Sequence, residues 1–363
     1  MIDELTSCSC FESEGLLTKN WRRWLLGGVV SILAVYFILS QIDIALFRDA
    51  MRDAHYIYVL PSVLFLLAGL VTRAIRWRVL LSDGLSFHRA FSILNVSYFV
   101  NGLLPLRAGE FARAYLATQV EPPVPAPKSI STIIVERLLD LLAVLALLFY
   151  ALISGPVPDE LRTVGLIAAP VGIAGFLLLV MLANRPRFAL NSLAFFTKRL
   201  PILERLPLQK LALQFFDGLT PLRRRRALTQ ALFWTAISWG FSVAAGYILM
   251  FTFYERADWV VTASFIAAAA FAIAVPAVPG NLGTYELSII VALEALGYGE
   301  PASTASAFAV LVHGINLILY ALVGLIGFLQ EGVSLNQLSA GVRQLQRDAT
   351  NLKVATQDVS QRD

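Results

Sequence analysis

Arg107, Glu110 and Arg113 form the first group of residues that could do chemistry, and successive members are three positions apart. This spacing predicts that they share one face of a helix that begins after Pro105. The face is net positive and lies at a helix start, where free backbone amides already favour an anion such as a phosphate. The group is therefore a candidate site for a lipid headgroup. A helix at the membrane interface that neutralises its own charges explains the spacing equally well.

A second group, Glu136, Arg137 and Asp140, lies near the start of a long apolar run. Glu136 and Asp140 are four positions apart on one helical face, and Arg137 can pair with Asp140 at a spacing of three. A charge in the centre of a membrane span costs about 2.5–3.5 kcal/mol, so such residues need partners. We therefore expect the surplus acid to pair with Arg107 or Arg113, and the group to take part in function.

Three further arginines, Arg73, Arg76 and Arg78, end an apolar stretch. Arg73 and Arg76 share a helix face, and long basic side chains near the end of a span commonly extend to the membrane surface. The sequence therefore predicts that all three reach the cytoplasmic interface beside Trp77.

The second half of the chain has its own group of polar positions in an apolar setting. Glu286 comes three positions after Gly283, so we expect it to begin the helix that leaves a proline–glycine break, where a glutamate is also an ordinary partner of the helix dipole. For His313, a buried hydrogen-bonded imidazole is the common structural role. The candidate cavity residues of this half are Pro279, Gly280, Asn281, Gly283, Glu286 and His313.

Enzyme signatures are not found in the sequence. It contains no nucleotide-binding glycine loop, no zinc-type spacing of histidine and cysteine, and no nucleophile with a base and an orienting group. Cys8 and Cys10, one residue apart, cannot build a four-ligand metal site. We therefore predict no catalytic residue, no cofactor and no metal.

The elements that position these residues must lie mostly in lipid. Hydrophobic residues make up 57% of the 363 positions and charged residues 15%, and the mean hydropathy is +0.69, a balance that excludes a water-soluble globular domain. The runs long enough to cross about 30 Å of hydrocarbon are Trp24–Ile42, Ala54–Thr72, Leu141–Pro158, Thr163–Asn184, Leu228–Tyr254, Val260–Tyr285 and Pro301–Gln330. The predicted fold class is all-α, a polytopic membrane helical bundle with seven or eight spans.

Two apolar segments are broken by proline and glycine at the same spacing. Pro105 to Gly109 and Pro279 to Gly283 each place three residues between the proline and the glycine, and a glutamate follows within three positions. Irregular backbone at membrane depth is tolerated only where it is buried in protein or lines a cavity. The pattern predicts two pseudo-repeated halves, each with a broken, re-entrant helix, that form a site near the membrane midplane.

The charges between the spans indicate topology and domain limits. Basic residues before the first run favour a cytoplasmic N-terminus, and residues 185–226 form a basic loop that is predicted to be cytoplasmic. Its arginine run, next to an apolar stretch, indicates topology or anionic lipid rather than nucleic acid. The predicted divisions are a polar tail at 1–15, one membrane domain at 16–331 with halves at about 16–184 and 227–331, and a polar tail at 332–363.

Three stretches of the sequence resemble the membrane region of lysylphosphatidylglycerol synthases and a related stand-alone, flippase-like family. They are NGLLPLRAGEFARAYL (101–116), VERLLDLL (135–142) and VPGNLGTYE (278–286). The resemblance implies a membrane domain that moves or houses lipid between leaflets, with two re-entrant helices from pseudo-symmetric halves. Because only a short polar tail follows Gln330, we expect no soluble aminoacyl-transferase domain and no lipid lysinylation.

The combined expectation is a lipid translocase of the inner membrane for an anionic phospholipid or a lipid-linked headgroup. The predicted headgroup-binding residues are Arg107, Glu110, Arg113, Glu136, Arg137 and Asp140. The alternatives are a lipid-linked glycosyl or headgroup transferase, its non-catalytic membrane subunit, and a structural partner protein. The expected partners are membrane lipids and not nucleic acid, and homo-oligomerisation stays open.

Overall fold

In the computed structural model, every regular element of the described part of the chain is a helix. The described residues are 43–82, 84–103, 107–155, 159–185, 215–216, 218–274 and 279–332, with single positions at 32, 36, 337, 338, 340 and 341. The all-α prediction is confirmed for these residues. Outside them lie Pro105, most of the basic loop, most of the C-terminal tail, and the predicted span Trp24–Ile42 except for Ile32 and Tyr36.

Eleven α-helices and two 3-10 turns make up the described part of the chain. The helices are α1 Ile44–Asp53, α2 Val59–Leu80, α3 Phe87–Leu103, α4 Ala108–Thr118, α5 Ala126–Ser154, α6 Asp159–Asn184, α7 Thr220–Arg223, α8 Arg225–Met250, α9 Trp259–Ala274, α10 Thr284–Ala295 and α11 Ala302–Glu331. The 3-10 turns are Tyr56–Tyr58 and Pro279–Asn281.

Helices begin after residues that accept hydrogen bonds from free backbone amides, and α11 is followed by a glycine in a left-handed conformation. Asp43 precedes α1, and its Oδ1 accepts from the amide of Ala45 at 2.8 Å. Asp258 does the same for α9, accepting from the amide of Val260 at 2.7 Å. The 30-residue helix α11 ends at Glu331 and is followed by Gly332, whose φ of 64° is a left-handed conformation that glycine adopts at low cost.

Three helical segments of the described chain are long and apolar enough to cross a membrane. They are Tyr56–Leu80, Arg225–Met250 and Ala302–Glu331, and the apolar segment Trp259–Ile273 is shorter. These three segments overlap the predicted spans Ala54–Thr72, Leu228–Tyr254 and Pro301–Gln330. The predicted apolar run Val260–Tyr285 is not one helix, because α9 ends at Ala274 and α10 begins at Thr284.

Eight of the eleven described α-helices form two sets of four, α2 to α5 and α8 to α11. The two sets have the same sequence of long and short helices. In each set a break separates the second helix from a short third helix of 11 or 12 residues, and a fourth helix of 29 or 30 residues follows. Helix α2 packs along α8, while α3 packs on α11 and α9 packs on α5. Each set therefore contributes helices to the core of the other.

Candidate functional site

A buried arginine on α2 is the centre of the site. The Nη1 of Arg76 is 2.6 Å from Oδ1 of Asp140, and its Nη2 is 3.3 Å from Oδ2, so the pair is bidentate. Nη1 also donates to the hydroxyl of Thr235 at 3.1 Å, and Nε is 3.6 Å from Oε1 of Glu136. With its side chain 1% exposed, Arg76 joins α2, α5 and α8. The prediction that it reaches the interface is wrong, because two carboxylates of α5 compensate its charge inside the bundle.

Glu136 also binds a second buried arginine. The Nη1 of Arg113 on α4 lies 2.6 Å from Oε2 of Glu136, and the side chains are 2% and 1% exposed. The guanidinium carbon of Arg113 lies 3.9 Å from the ring centroid of Trp77, a cation–π contact. The expected pairing of Arg113 with the surplus acid is confirmed. Nε and Nη2 of Arg113 have no hydrogen-bond partner in the described part of the chain.

The outer part of the site is more accessible. Arg137 has its Nη2 3.6 Å from Oδ2 of Asp140 and its Nε 3.8 Å from Oε1 of Glu110. Nη1 of Arg107 is 3.9 Å from the same oxygen of Glu110. The side chains of Arg107 and Arg137 are 40% and 37% exposed, and that of Glu110 is 27% exposed. The expected pairing of Arg137 with Asp140 is confirmed.

These contacts define one charge network that runs from the interior to an accessible face. Its members are Arg76, Arg107, Glu110, Arg113, Glu136, Arg137 and Asp140. In the described part of the chain, four arginines against three carboxylates leave one positive charge in excess. The structure therefore joins all six residues that the sequence proposed for headgroup binding and adds Arg76.

Arg73 lies beside the charge network and is held by neutral groups. It donates to the hydroxyls of Ser238 at 3.1 Å, Ser242 at 3.2 Å and Tyr320 at 3.4 Å, and the ring of Tyr320 stacks on Tyr98 at 5.2 Å between centroids. These partners turn the half-buried guanidinium inward, so the interface prediction is wrong for Arg73 as well. Its charge adds to the positive excess of the network.

The first break is closed by a contact between α3 and α4. The amide of Gly109 donates to Oδ1 of Asn101 at 2.8 Å, and a Cβ at Gly109 would lie 2.0 Å from the carbonyl oxygen of Ser97. Arg107 precedes α4 in a left-handed conformation with φ 54°. Its Nη2 donates at 3.2 Å to the carbonyl of Ile273, near the end of α9. Arg107 thus connects the first break to the helix that enters the second.

The second break is held by residues with positive φ. Gly280 has φ 72°, Asn281 has φ 56° and Gly283 has φ 85°, and Pro279 begins the 3-10 turn. A Cβ at Gly280 would lie 3.7 Å from the carbonyl oxygen of Gly102. The end of α3 therefore approaches this turn closely, and the two breaks are neighbours.

The helix after the second break carries a buried acid–base pair. Oε1 of Glu286 is 2.7 Å from Nδ1 of His313 on α11, and its Oε2 accepts from the amide of Gly283 at 2.8 Å. The ring of Tyr285 stacks on the imidazole at 4.4 Å between centroids. The expectations that Glu286 begins this helix and that His313 is buried and hydrogen-bonded are both confirmed.

Sequence reasoning missed the part of the site that α2 and α8 contribute. Arg76 and Trp77 come from α2, while Thr235 and Trp239 come from α8, and the indole of Trp239 donates to Oδ1 of Asp140 at 3.2 Å. A tryptophan and a hydroxyl on one helix face are common in apolar helices, so nothing in the sequence of α8 indicated that Thr235 and Trp239 belong to the site. The sequence did single out Arg76, since it belongs to a group of three arginines beside an apolar stretch.

The arrangement suits the binding of an anion. An excess of guanidinium groups, two of them partly exposed, offers charge-assisted hydrogen bonds to a phosphate or carboxylate. Among the residues that the structure describes, no three of the types His, Cys, Asp and Glu lie close enough to hold a metal ion.

Fold and site together define a multi-pass helical membrane protein with a charge network inside its apolar helices. The chain belongs to the family described as the lysylphosphatidylglycerol synthase TM region, whose sequence model matches residues 24–324. The resemblance stated from three short stretches is therefore confirmed over most of the chain.

A longer curated relative is also similar to the chain. The protein named glycosyltransferase AglD, from Haloferax volcanii, is 25% identical over 90% of this chain. The chain spans 58% of the length of that relative. No solved structure matches the chain.

Proposed function

We propose that this protein is a lipid translocase that binds the anionic headgroup of a phospholipid or of a lipid-linked carrier. One observation carries the proposal. A charge network with more arginines than carboxylates lies among apolar helices, and its two most accessible arginines, Arg107 and Arg137, stand at its open side. A site inside a membrane protein that keeps an excess positive charge favours an anionic ligand, because an uncompensated charge there is costly.

The residues of the charge network have different roles in this proposal. Arg107 and Arg137 contact the headgroup directly, since their side chains are 40% and 37% exposed. Glu110 and Asp140 orient these two arginines. Arg113 is buried against Glu136 and Trp77, so in this conformation it positions the network and does not reach the headgroup. The acyl chains remain in the surrounding lipid.

The broken segments complete the proposed site. They are the predicted re-entrant helices of a bundle with seven or eight spans, and the second-half residues from Pro279 to Glu286 form the wall opposite the charge network. The contact of Arg107 with the end of α9, and the approach of α3 to Gly280, support this arrangement. The proposed location is the inner membrane with a cytoplasmic N-terminus.

A reconstituted transport assay tests the proposal. Purified protein in liposomes that contain fluorescent phosphatidylglycerol should move labelled lipid between leaflets, measured as the fraction of label that an external quencher destroys. Arg137→Gln removes one accessible charge, so we expect transport to fall at least about tenfold if the arginine contributes about 1.4 kcal/mol or more to headgroup binding.

Arg48→Gln is the matched control. It also removes one arginine charge, but its side chain is 78% exposed on α1 and its neighbour Asp49 lies at the surface. Transport should therefore be unchanged in this variant. The proposal is wrong if wild-type protein moves no more labelled lipid than empty liposomes, or if both variants lose transport equally.

A second candidate function is favoured by the name of the relative. A glycosyltransferase that acts on lipid carriers would also need an anion site for a lipid phosphate, and this chain spans 58% of that longer protein. The two functions differ in their products. A transferase makes a new covalent lipid that disappears in a deletion strain, whereas a translocase changes only the distribution of lipids between leaflets, so thin-layer lipid profiles separate them.

A further inference from the structure

The two halves place an acid–base contact at the same position of their helices. Glu110 and Glu286 are each the third residue of the helix that follows a break. Arg137 and His313 are each the twelfth residue of the next long helix. The two members of each pair are 27 positions apart (137 − 110 and 313 − 286), and in each pair a side-chain nitrogen faces Oε1 of the glutamate.

The basic residues of these two pairs, Arg137 and His313, differ in whether their side chains can lose a proton at physiological pH. A guanidinium stays protonated at all physiological pH values, whereas an imidazole gains and loses its proton near neutrality. The first half thus has a permanent positive charge where the second half has a charge that depends on proton binding.

The geometry of the second pair fits a proton-binding group. Both side chains are buried, and the Glu286 carboxylate is held by Nδ1 of His313 at 2.7 Å and by the amide of Gly283 at 2.8 Å. An ionised carboxylate only accepts hydrogen bonds, so Nδ1 carries a hydrogen and a further proton binds at Nε2. That proton changes the charge of the pair from −1 to 0.

Other ionisable groups near the pair connect it to the first half. Tyr285 stacks on His313 and lies within electrostatic range of Tyr320 and Arg73. Arg73 donates to the hydroxyl of Tyr320 at 3.4 Å and lies within electrostatic range of Asp140, a member of the charge network.

Within the described residues, the other helices that pack on α10 and α11 add no charge that faces the pair. Helix α9 has no ionisable residue, Tyr98 is the ionisable side chain that α3 contributes beside Tyr320, and the charged residues of α1 and of the start of α8 are exposed. Among the described residues, the ionisable groups near the pair are therefore Tyr285, Tyr320 and Arg73.

We propose that the Glu286–His313 pair is a proton-binding site that couples proton movement to the transfer of an anionic headgroup. The inference rests on the proposed translocase function. A proton binds at Nε2 of His313 from one side of the membrane and cancels the negative charge of the pair, so the headgroup can pass from the first half to the second. The proton then leaves His313 on the other side. One negative headgroup and one proton cross together, and no net charge moves.

A pH gradient across proteoliposomes tests this coupling. The liposomes contain the wild-type protein and fluorescent phosphatidylglycerol, and the distribution of label between leaflets is measured at equilibrium. Because one proton accompanies one lipid, a gradient of one pH unit should change the ratio of label between leaflets by about tenfold. His313→Gln cannot bind the proton and leaves the Glu286 charge uncancelled, so the label should keep its starting distribution at every gradient. Glu286→Gln keeps an oxygen for the Gly283 amide but loses the charge, so this variant should move lipid without a response to the gradient.

Two further variants sharpen the test. Glu294→Gln removes an exposed carboxylate on the same helix and should respond to the gradient like the wild type. His313→Arg gives the second half the permanent charge of Arg137 and should abolish the response. Each variant is first checked for a single monodisperse peak in detergent. In a separate experiment, the infrared bands of the imidazole are followed from pH 5 to pH 8 in the wild type and in His313→Gln, to detect proton binding at His313.

The outcomes separate this inference from the proposed function. If labelled lipid moves but the wild type ignores the gradient, or if His313→Gln still responds, proton coupling is wrong and the translocase stands. If no labelled lipid moves at any pH, the translocase itself fails and coupling fails with it. If the infrared bands show no titrating imidazole that His313→Gln removes, the proton-binding site is wrong whatever the lipid does.

Discussion

Replacing Glu136 with glutamine should destabilise the protein strongly. The carboxylate is 1% exposed and lies 2.6 Å from Nη1 of Arg113 and 3.6 Å from Nε of Arg76. Glutamine has nearly the same size but no charge, so Arg113 loses its counter-ion inside the bundle. Breaking a buried pair of this kind costs about 3–5 kcal/mol. For a chain of 363 residues the shift is about 1.3 °C per kcal/mol, so we expect the melting temperature in detergent to fall by about 4 °C or more. Intrinsic tryptophan fluorescence measures this change.

Two comparison variants identify the cause of that loss. Glu110→Gln removes a carboxylate that is 27% exposed and no closer than 3.8 Å to an arginine, so it should cost less than about 1 kcal/mol. The double variant Glu136→Gln with Arg113→Gln should be more stable than Glu136→Gln alone, because the uncompensated charge is gone. If Glu136→Gln melts within one degree of the wild type, in about the same range as Glu110→Gln, the buried network does not stabilise the fold as argued.

Two other substitutions test single contacts. Gly109→Ala would place a Cβ 2.0 Å from the carbonyl oxygen of Ser97 and should lower the free energy of unfolding by about 1–3 kcal/mol. At Gly240 an added Cβ meets nothing within 4 Å, so Gly240→Ala should not lower the melting temperature. Equal effects in the two variants would contradict the close approach of α3 and α4. Trp239→Phe removes the indole donor to Asp140 and should lower the free energy of unfolding by about 1.5–3 kcal/mol. If the denaturation midpoint equals that of the wild type, this hydrogen bond contributes nothing to stability.

The sequence predicted those parts of the site that depend on local spacing. Arg137 and Asp140 lie within one helix, so their contact follows from the three-residue interval. Glu286 lies in the first turn of α10 because Gly283 ends the break before it. Charge balance predicted that Arg107 or Arg113 pairs with the surplus acid, since an acid in an apolar run needs a cation. In the structure the pair is Arg113 with Glu136.

Contacts between distant helices could not be predicted from one sequence. Arg76 meets Asp140 and Thr235, which are 64 and 159 positions away, and only their packing tells an inward arginine from one that extends to the surface. The shared face of Arg107 and Arg113 was also wrong in detail. Arg107 has φ 54° and precedes the helix, so helical spacing does not apply to it, and Arg113 turns inward while Arg107 stays accessible.

The exchange of packing partners between the two sets of helices has a consequence for biosynthesis. Helix α3 packs on α11, the last long helix of the described chain, and α5 packs on α9. When the ribosome has made α2 to α5, the surfaces that will cover α3 and α5 do not yet exist. The first set therefore stays in the membrane while Arg76 lacks its contact with Thr235 of α8. The native core can close only after α11 is complete, more than 150 residues beyond the end of α5.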